Sequence, residues 1–336
     1  MTPETSERLF GTRSAFDDPM VRNTVLTVAA LLVVAPLVIW ILGKLGMARD
    51  KLLKDLWERW VSWLVLAPLM AVPVLLGAAY TMAAVGLLSL LCYREYARAT
   101  GLFRERVISG VIVLGILLLT FASLDCWYGL FVALWPLTVA LIAAVAILAD
   151  RPIGYVQRVG LGVLGFMLLG CCLGHLAFFC NDTNYRRIMV WILLCVELND
   201  IFAYICGKSF GRRKLAPHTS PNKTVGGAVG ALVLTTTLAA VMSRFVFPNT
   251  VLAQFPHPLI MGLLIGALGQ LGDLLLSSIK RDVGIKDMGS TFPGHGGVLD
   301  RFNSLLLVAP AIFHYVGYYF GVARLEPVRI FSSVFH

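Results

Sequence analysis

Residues 277–303 read SSIKRDVGIKDMGSTFPGHGGVLDRFN, a run that carries Lys280, Arg281, Asp282, Lys286, Asp287, His295, Asp300 and Arg301 threaded with Gly and Pro. The carboxylates of Asp287 and Asp300 are hard oxygen ligands of the kind Mg²⁺ takes. That ion commonly bridges one or two carboxylates to substrate phosphates. Lys280, Arg281, Lys286 and Arg301 are cations suited to neutralising phosphate oxygens. Pro293-Gly294-His295-Gly296-Gly297 permits close backbone approach, so His295 serves either a nucleotide or phosphate contact or the turn itself. Phosphoryl chemistry rests mainly on positioning and charge neutralisation. These residue types therefore point to a lipid phosphate meeting a nucleotide at a membrane surface.

Upstream, acids stand inside apolar runs. VELNDIFAYICG places Glu197 and Asp200 three residues apart, on one helical face. GQLGDLLLSSIKR sets Gln270, Asp273, Ser277 and Lys280 in one polar stripe, bordered by Arg281. An acid at the centre of a spanning helix costs about 2.5–3.5 kcal/mol, so these acids point to a shared cavity. The plainer alternative is that Asp273 pairs with Lys280 or another cation and joins helices. Between them lies GKSFGRRKLAPHTSPNKTVGG, with Lys208, Arg212, Arg213, Lys214, Lys223, Ser220 and Thr224. Its donors suit a polyphosphate, although it lacks P-loop spacing and would also pass as an ordinary basic loop.

The elements that must position these residues are membrane helices. Of 336 residues, 58% are hydrophobic and 14% charged, against about 25% charged in soluble domains. Ten apolar stretches approach the roughly 20 residues of a spanning helix: 23–43, 61–77, 78–92, 107–124, 127–149, 159–180, 188–207, 225–247, 258–278 and 304–322. The expected class is an all-α polytopic membrane protein with about ten transmembrane helices and its site at the cytoplasmic side of the C-terminal half. The net charge of +9 reads as topology rather than nucleic-acid binding. Loops 44–60, 93–106, 150–158, 208–224 and 279–303 hold 20 of the 28 Lys and Arg residues. The positive-inside rule makes them cytoplasmic and puts both termini on the other side.

No cleavable signal peptide is expected, since no short apolar region precedes the first stretch. RDKLLKDLWERW, 49–60, is amphipathic and suits a helix in the membrane interface. The seven cysteines lie mostly in apolar runs without metal-ligand spacing, as buried small hydrophobes do. Two regions are expected: 1–190, transmembrane, and 191–336, transmembrane and catalytic.

The run S-x-I-K-R-x4-K-D-x-G-x2-F-P-x-H-G-G-V-x-D-R-F, Ser277 to Phe302, closely resembles the signature of phosphatidate cytidylyltransferases, or CDP-diacylglycerol synthases. Gly272-Asp273-Leu274 and the segment Asp200, Ala203, Tyr204, Gly207, Lys214, Leu215, Pro217, Ser220, Pro221, Lys223 and Thr224 resemble the same family. The resemblance covers about 195–303. It implies an integral membrane enzyme, bacterial and of the inner membrane, that transfers CMP from CTP to phosphatidic acid and releases pyrophosphate. It implies Mg²⁺ held by Asp273 and Asp300, with a monovalent cation such as K⁺ also associated with the site. Lys280 and Arg281 would face the phosphates, and Lys223, Lys286 and Arg301 would assist. Asp287 would orient a cation or the metal's water, and Asp200 and His295 would contact substrate. The expected partners are CTP, a lipid phosphate, the bilayer and optionally a second copy of the chain.

Two positions depart from the family. Asn303 stands where an acid usually closes the signature, and Gly226 stands for the Glu of K-T-x-E-G. Both make the site less anionic and leave room for another lipid phosphate. Further rivals are a transporter lined by the intramembrane acids and a non-catalytic sensor.

Overall fold

The structure, a computed structural model, describes residues 3–46, 50–291, 296–320 and 329–332. Helix α1 (Pro3–Phe10) precedes α2 (Pro19–Lys44), α3 (Asp50–Leu76), α4 (Ala78–Thr100), α5 (Arg106–Leu124) and α6 (Tyr128–Ile147). One continuous helical span follows: α7 (Tyr155–Gly165), a π-helical segment (Phe166–Cys172) and α8 (Leu173–Phe179). After α9 (Tyr185–Phe210) comes an antiparallel hairpin, β1 (Lys214–Ala216) and β2 (Ser220–Thr224). Helices α10 (Val225–Val246), α11 (His257–Asp282), the short α12 (Val298–Phe302) and α13 (Leu305–Phe320) complete the chain.

Each of the ten apolar stretches falls on a helical span. Among the described residues, eight spans are long and apolar enough to cross a membrane. The other two stretches differ for local reasons. Helix α4 ends in Arg94, Glu95 and Arg98, and α13 has 16 residues. The amphipathic stretch 49–60 is the start of α3, continuous with the span that follows. The basic loop 208–224 contains the hairpin.

Local sequence sets these boundaries. Asp18 caps α2 by accepting the Met20 and Val21 N–H groups at 2.9 and 3.1 Å, and Pro19 occupies the first turn. Pro36 deprives the Leu32 carbonyl of its helical donor, and the Trp60 indole donates to that carbonyl at 2.8 Å. This bond ties α2 to α3 inside the apolar region. The turn from α3 to α4 is made by Gly77 at φ 147°, where a Cβ would lie 2.3 Å from the Leu9 carbonyl oxygen of α1.

The C-terminal half is packed through small residues and buried polar groups, as membrane helices often are. A Cβ at Gly227 would lie 2.6 Å from the Ala203 carbonyl oxygen, and one at Gly262 would lie 2.7 Å from the Thr236 backbone. Buried Asn199 of α9 accepts from Thr235 of α10 at 2.9 Å and donates to Gly266 O of α11 at 3.4 Å. Gln270 of α11 donates to Ala228 O of α10 at 3.0 Å. The cysteines are free, and all but Cys172 are buried.

Two faces result. The five cation-rich loops share one of them. Arg151 pairs with Glu105 at 3.1 Å, Glu95 accepts from Thr291, Val298 and Leu299, Arg281 donates to Thr219 O at 3.2 Å, and Arg59 lies over the Tyr204 ring. The opposite face holds α1, Asp125 and Asn181. There Arg8 donates to Asn181 O, Arg186 to Gly11 O, and Asp125 accepts from the backbone of Phe331 and Ser332.

Candidate active site

Two acid–lysine pairs flank α12 toward the cation-rich face. The first joins three elements. Asp273 on α11 meets Lys223 of β2 at 2.5 Å, and its other oxygen accepts the Asn303 side-chain N–H at 2.7 Å. Asp200 on α9 lies within electrostatic reach of Asp273, Lys223 and Arg301, and the nearby Ser304 hydroxyl donates to Asn303 Oδ1 at 3.2 Å. Glu197 lies near Asp200 and Arg301. Helical geometry brings these groups together: Glu197 and Asp200 share a face of α9, and the hairpin folds Lys223 back against α11.

The second pair is Lys280 with Asp300, 2.8 Å apart, with side chains only 11% and 4% exposed. The second oxygen of Asp300 accepts the Met288 and Gly297 N–H groups at 2.8 and 2.9 Å. Asp300 thus caps the turn that opens α12 while neutralising Lys280. Among the described residues none bonds to both Asp273 and Asp300; α12 joins the two groups, with Asp300 in its first turn and Asn303 just after its end.

The polar stripe read along α11 divides between neighbours. Gln270 joins helices, whereas Asp273 pairs with Lys223 and Lys280 with Asp300. Arg281 is exposed and holds the Thr219 and Ile285 carbonyl oxygens at 3.2 and 3.3 Å, bracing the hairpin turn. Lys286 and Asp287 are exposed beside Met288. His295 lies outside the described residues.

Glu95 of α4 is a site residue that sequence reasoning left in a topology loop. Its Oε1 accepts from Thr291 Oγ1 at 2.8 Å and Val298 N–H at 3.0 Å, and its Oε2 from Leu299 N–H at 2.9 Å. A Cβ at Gly289 or Gly297 would come within 2.5 or 2.3 Å of this carboxylate. The signal available was one of two acids, with Glu105, among Arg94, Arg98, Arg104 and Arg106, which says nothing about partners 196 to 204 residues away.

The structure gives both family departures a setting. A Cβ at Gly226 would lie 2.8 Å from the Phe210 carbonyl oxygen, so this backbone has no room for a glutamate. Asn303 donates to Asp273, where an ionised aspartate would repel it.

The Cytidylyltransferase family profile matches residues 57–319. Helices α1 and α2 and about the first two turns of α3 precede that region. The chain is 35% identical over 245 residues to the uncharacterized protein YnbB of Escherichia coli (strain K12), covering 71% of this chain and 79% of that one. It is 38% identical over 163 residues to a phosphatidate cytidylyltransferase of Bacillus subtilis (strain 168), covering 47% and 58%. With the Rickettsia bellii (strain RML369-C) phosphatidate cytidylyltransferase the figures are 34% over 196 residues, 52% and 85%. The chain spans little more than half the length of the Bacillus relative. This chain, a polytopic membrane protein built of helices, belongs to the cytidylyltransferase family of CTP-using transferases.

Proposed function

We propose that the chain transfers CMP from CTP to phosphatidic acid, giving CDP-diacylglycerol and pyrophosphate, on the cytoplasmic face of the inner membrane. The single observation that carries this reading is the pair of lysine–aspartate contacts, Lys223–Asp273 and Lys280–Asp300, on the two sides of α12. Each lysine is a cation that can exchange a carboxylate for a phosphate oxygen. Each exchange frees an acid for a metal ion.

A lipid phosphate oxygen forms a bond to the α-phosphorus of CTP. The bond from that phosphorus to the bridging oxygen breaks, and the electron pair leaves with pyrophosphate. The nucleophile is already ionised at neutral pH, so no strong general base is required. Lys223 and Lys280 bind and orient the phosphates, Arg301 adds charge near Asp200, and Arg281 keeps the hairpin against α11. Lys286, Asp287 and His295 belong to the nucleotide side of this proposal.

The donor set fits Mg²⁺. Asp273 and Asp300 are hard oxygen donors, each held by a lysine; Asp200 lies near Asp273, which also accepts the Asn303 side-chain N–H. Among the described residues, no group of three or more His, Cys, Asp or Glu side chains is arranged to hold a metal ion. Substrate phosphates would therefore complete the coordination, as Mg²⁺ commonly requires. Asp273 and Asp300 are the acids proposed to hold it, with Asp200 and Asn303 beside them. When bound, the ion neutralises charge on the reacting phosphates.

The test is pyrophosphate release by purified protein given CTP, Mg²⁺ and a lipid phosphate. Release with phosphatidic acid, abolished in Asp273→Ala and Asp300→Ala, supports the proposal. Full activity in both variants overturns the site. A second reading, the same chemistry on another lipid phosphate such as a polyprenyl phosphate, is favoured by Asn303 and Gly226. Release with polyprenyl phosphate and not with phosphatidic acid would select it.

A further inference from the structure

Beside the acids lies a cavity of about 740 Å³ walled by α2, α3 and α9. Its volume falls in the range of about 300–1,000 Å³ typical of ligand pockets. It exists because small residues meet there: Ala35 on α2 and Ala67 and Ala71 on α3 leave space that larger side chains would fill. Apart from Thr24, Glu197 and the indoles of Trp60 and Trp63, its lining is aliphatic or methionine. Glu197 stands one turn of α9 from Asp200. The wall supplied by α9, Val190 to Ile201, is about 16 Å long at 1.5 Å per residue. That is close to half of a hydrocarbon core roughly 30 Å thick.

Depth sets the requirement. Asp200 is ten residues, or about 15 Å, from the end of α9 at Phe210. A lipid phosphate drawn to Lys223 and Arg301, beside Asp200 and Asp273, therefore carries its chains into the bundle, where they need an apolar slot at that depth. Helix α2 forms one wall of the crevice, and only 6% of its apolar window is buried, so the slot borders the lipid phase.

We propose that this α2–α3–α9 crevice is an acyl-chain subsite. It takes one hydrocarbon chain of the lipid phosphate whose head group reaches the Asp200–Asp273 acids. The inference rests on the lipid-phosphate reading above. It adds that α2, which precedes the family-matched region, helps set chain-length preference in this protein.

The test has two arms. In the first, full-length protein in nanodiscs is titrated with phosphatidic acid or phosphatidylcholine, each with brominated chains, and tryptophan quenching is read. The component lost in Trp63→Phe is assigned to the crevice. Quenching of that component at several-fold lower mole fraction by the phosphatidic acid supports the subsite. Equal quenching by both lipids means that any bilayer lipid fills the groove, and overturns it. This arm needs no turnover, so it stands apart from failure of the cytidylyl-transfer reading.

The second arm fills the slot with Ala35→Phe and Ala71→Phe. The expected result is a rise of about tenfold in KM for long-chain phosphatidic acid, with KM for CTP and for a six-carbon-chain analogue unchanged. An equal rise for both chain lengths, or none, overturns the proposal. A variant that does not fold leaves the quenching arm to decide.

Discussion

Single side chains at the candidate site act through charges that are already matched. Asp273→Asn removes the carboxylate facing Lys223 and Asn303, and should lower CTP-dependent pyrophosphate release by at least about 100-fold, the scale of losing one preorganised electrostatic group. Steady-state assays at saturating CTP check this. Lys280→Met leaves Asp300 with two backbone donors and no cation. Breaking a buried pair from one side costs about 3–5 kcal/mol, so its melting temperature in detergent should fall with its activity. Asn303→Asp tests the family departure in reverse. It sets a second carboxylate against Asp273, so thermal stability should fall in EDTA and recover in millimolar Mg²⁺. Equal melting temperatures in the two conditions would contradict a metal near these residues. Asp273 stood out in the sequence because an acid is costly in an apolar run, Asp300 as a hard oxygen ligand in a charged stretch, and the family resemblance marked both. Their partners were legible only in part: the alternative that Asp273 pairs with Lys280 or another cation holds through Lys223, which the hairpin delivers, whereas α12 delivers Asp300 to Lys280. Spacing along one helix reveals a shared face, but not which neighbouring element meets it.

Elements carry the next layer of behaviour. Glu95 clamps the start of α12 from α4, so Glu95→Ala should disorder the approach to Asp300. Hydrogen bonds to a charged group contribute about 1.5–3 kcal/mol each. The expected outcome is a drop in kcat with faster amide exchange at Val298 and Leu299. Glu95→Gln, which keeps one acceptor, should fall between the two. Unchanged exchange in Glu95→Ala would remove the clamp from the account. Helix positions were legible from hydropathy alone because a span must satisfy its own backbone and face lipid. The hairpin was not, since RRKLAPHTSPNKT has no apolar alternation. Nor was the continuity of 49–60 with the following span, because a change from amphipathic to apolar composition leaves no break in helical hydrogen bonding.

At the scale of the whole molecule, the chain sorts its charges by face. The far face is closed by a tether: Asp125 accepts from Phe331 N–H at 2.6 Å, Ser332 N–H at 3.1 Å and the Ser332 hydroxyl at 2.6 Å, while Arg329 lies 4.4 Å from the Trp127 ring centroid. Burial raises the Asp125 pKa, but these hydrogen bonds outweigh it and hold the carboxyl below its ordinary value. A depressed pKa gives stability that is fully present above the unfolded value, about 3.9, and is lost as pH falls through the folded one. Docking of residues 329–332 should therefore be constant from pH 8 to 5 and weaken only below about pH 4. Trp127 fluorescence reads it, and release at pH 6 would contradict the assignment. The same arrangement governs what each compartment can see. Helix α1 and residues 329–332 gather around Asn181 and Asp125, while the hairpin turn at 217–219 stands across the bilayer. In sealed vesicles of one orientation, an impermeant biotinylating reagent should modify a cysteine placed in α1 or one placed at 218, but not both, and flipping the vesicles should exchange the two outcomes.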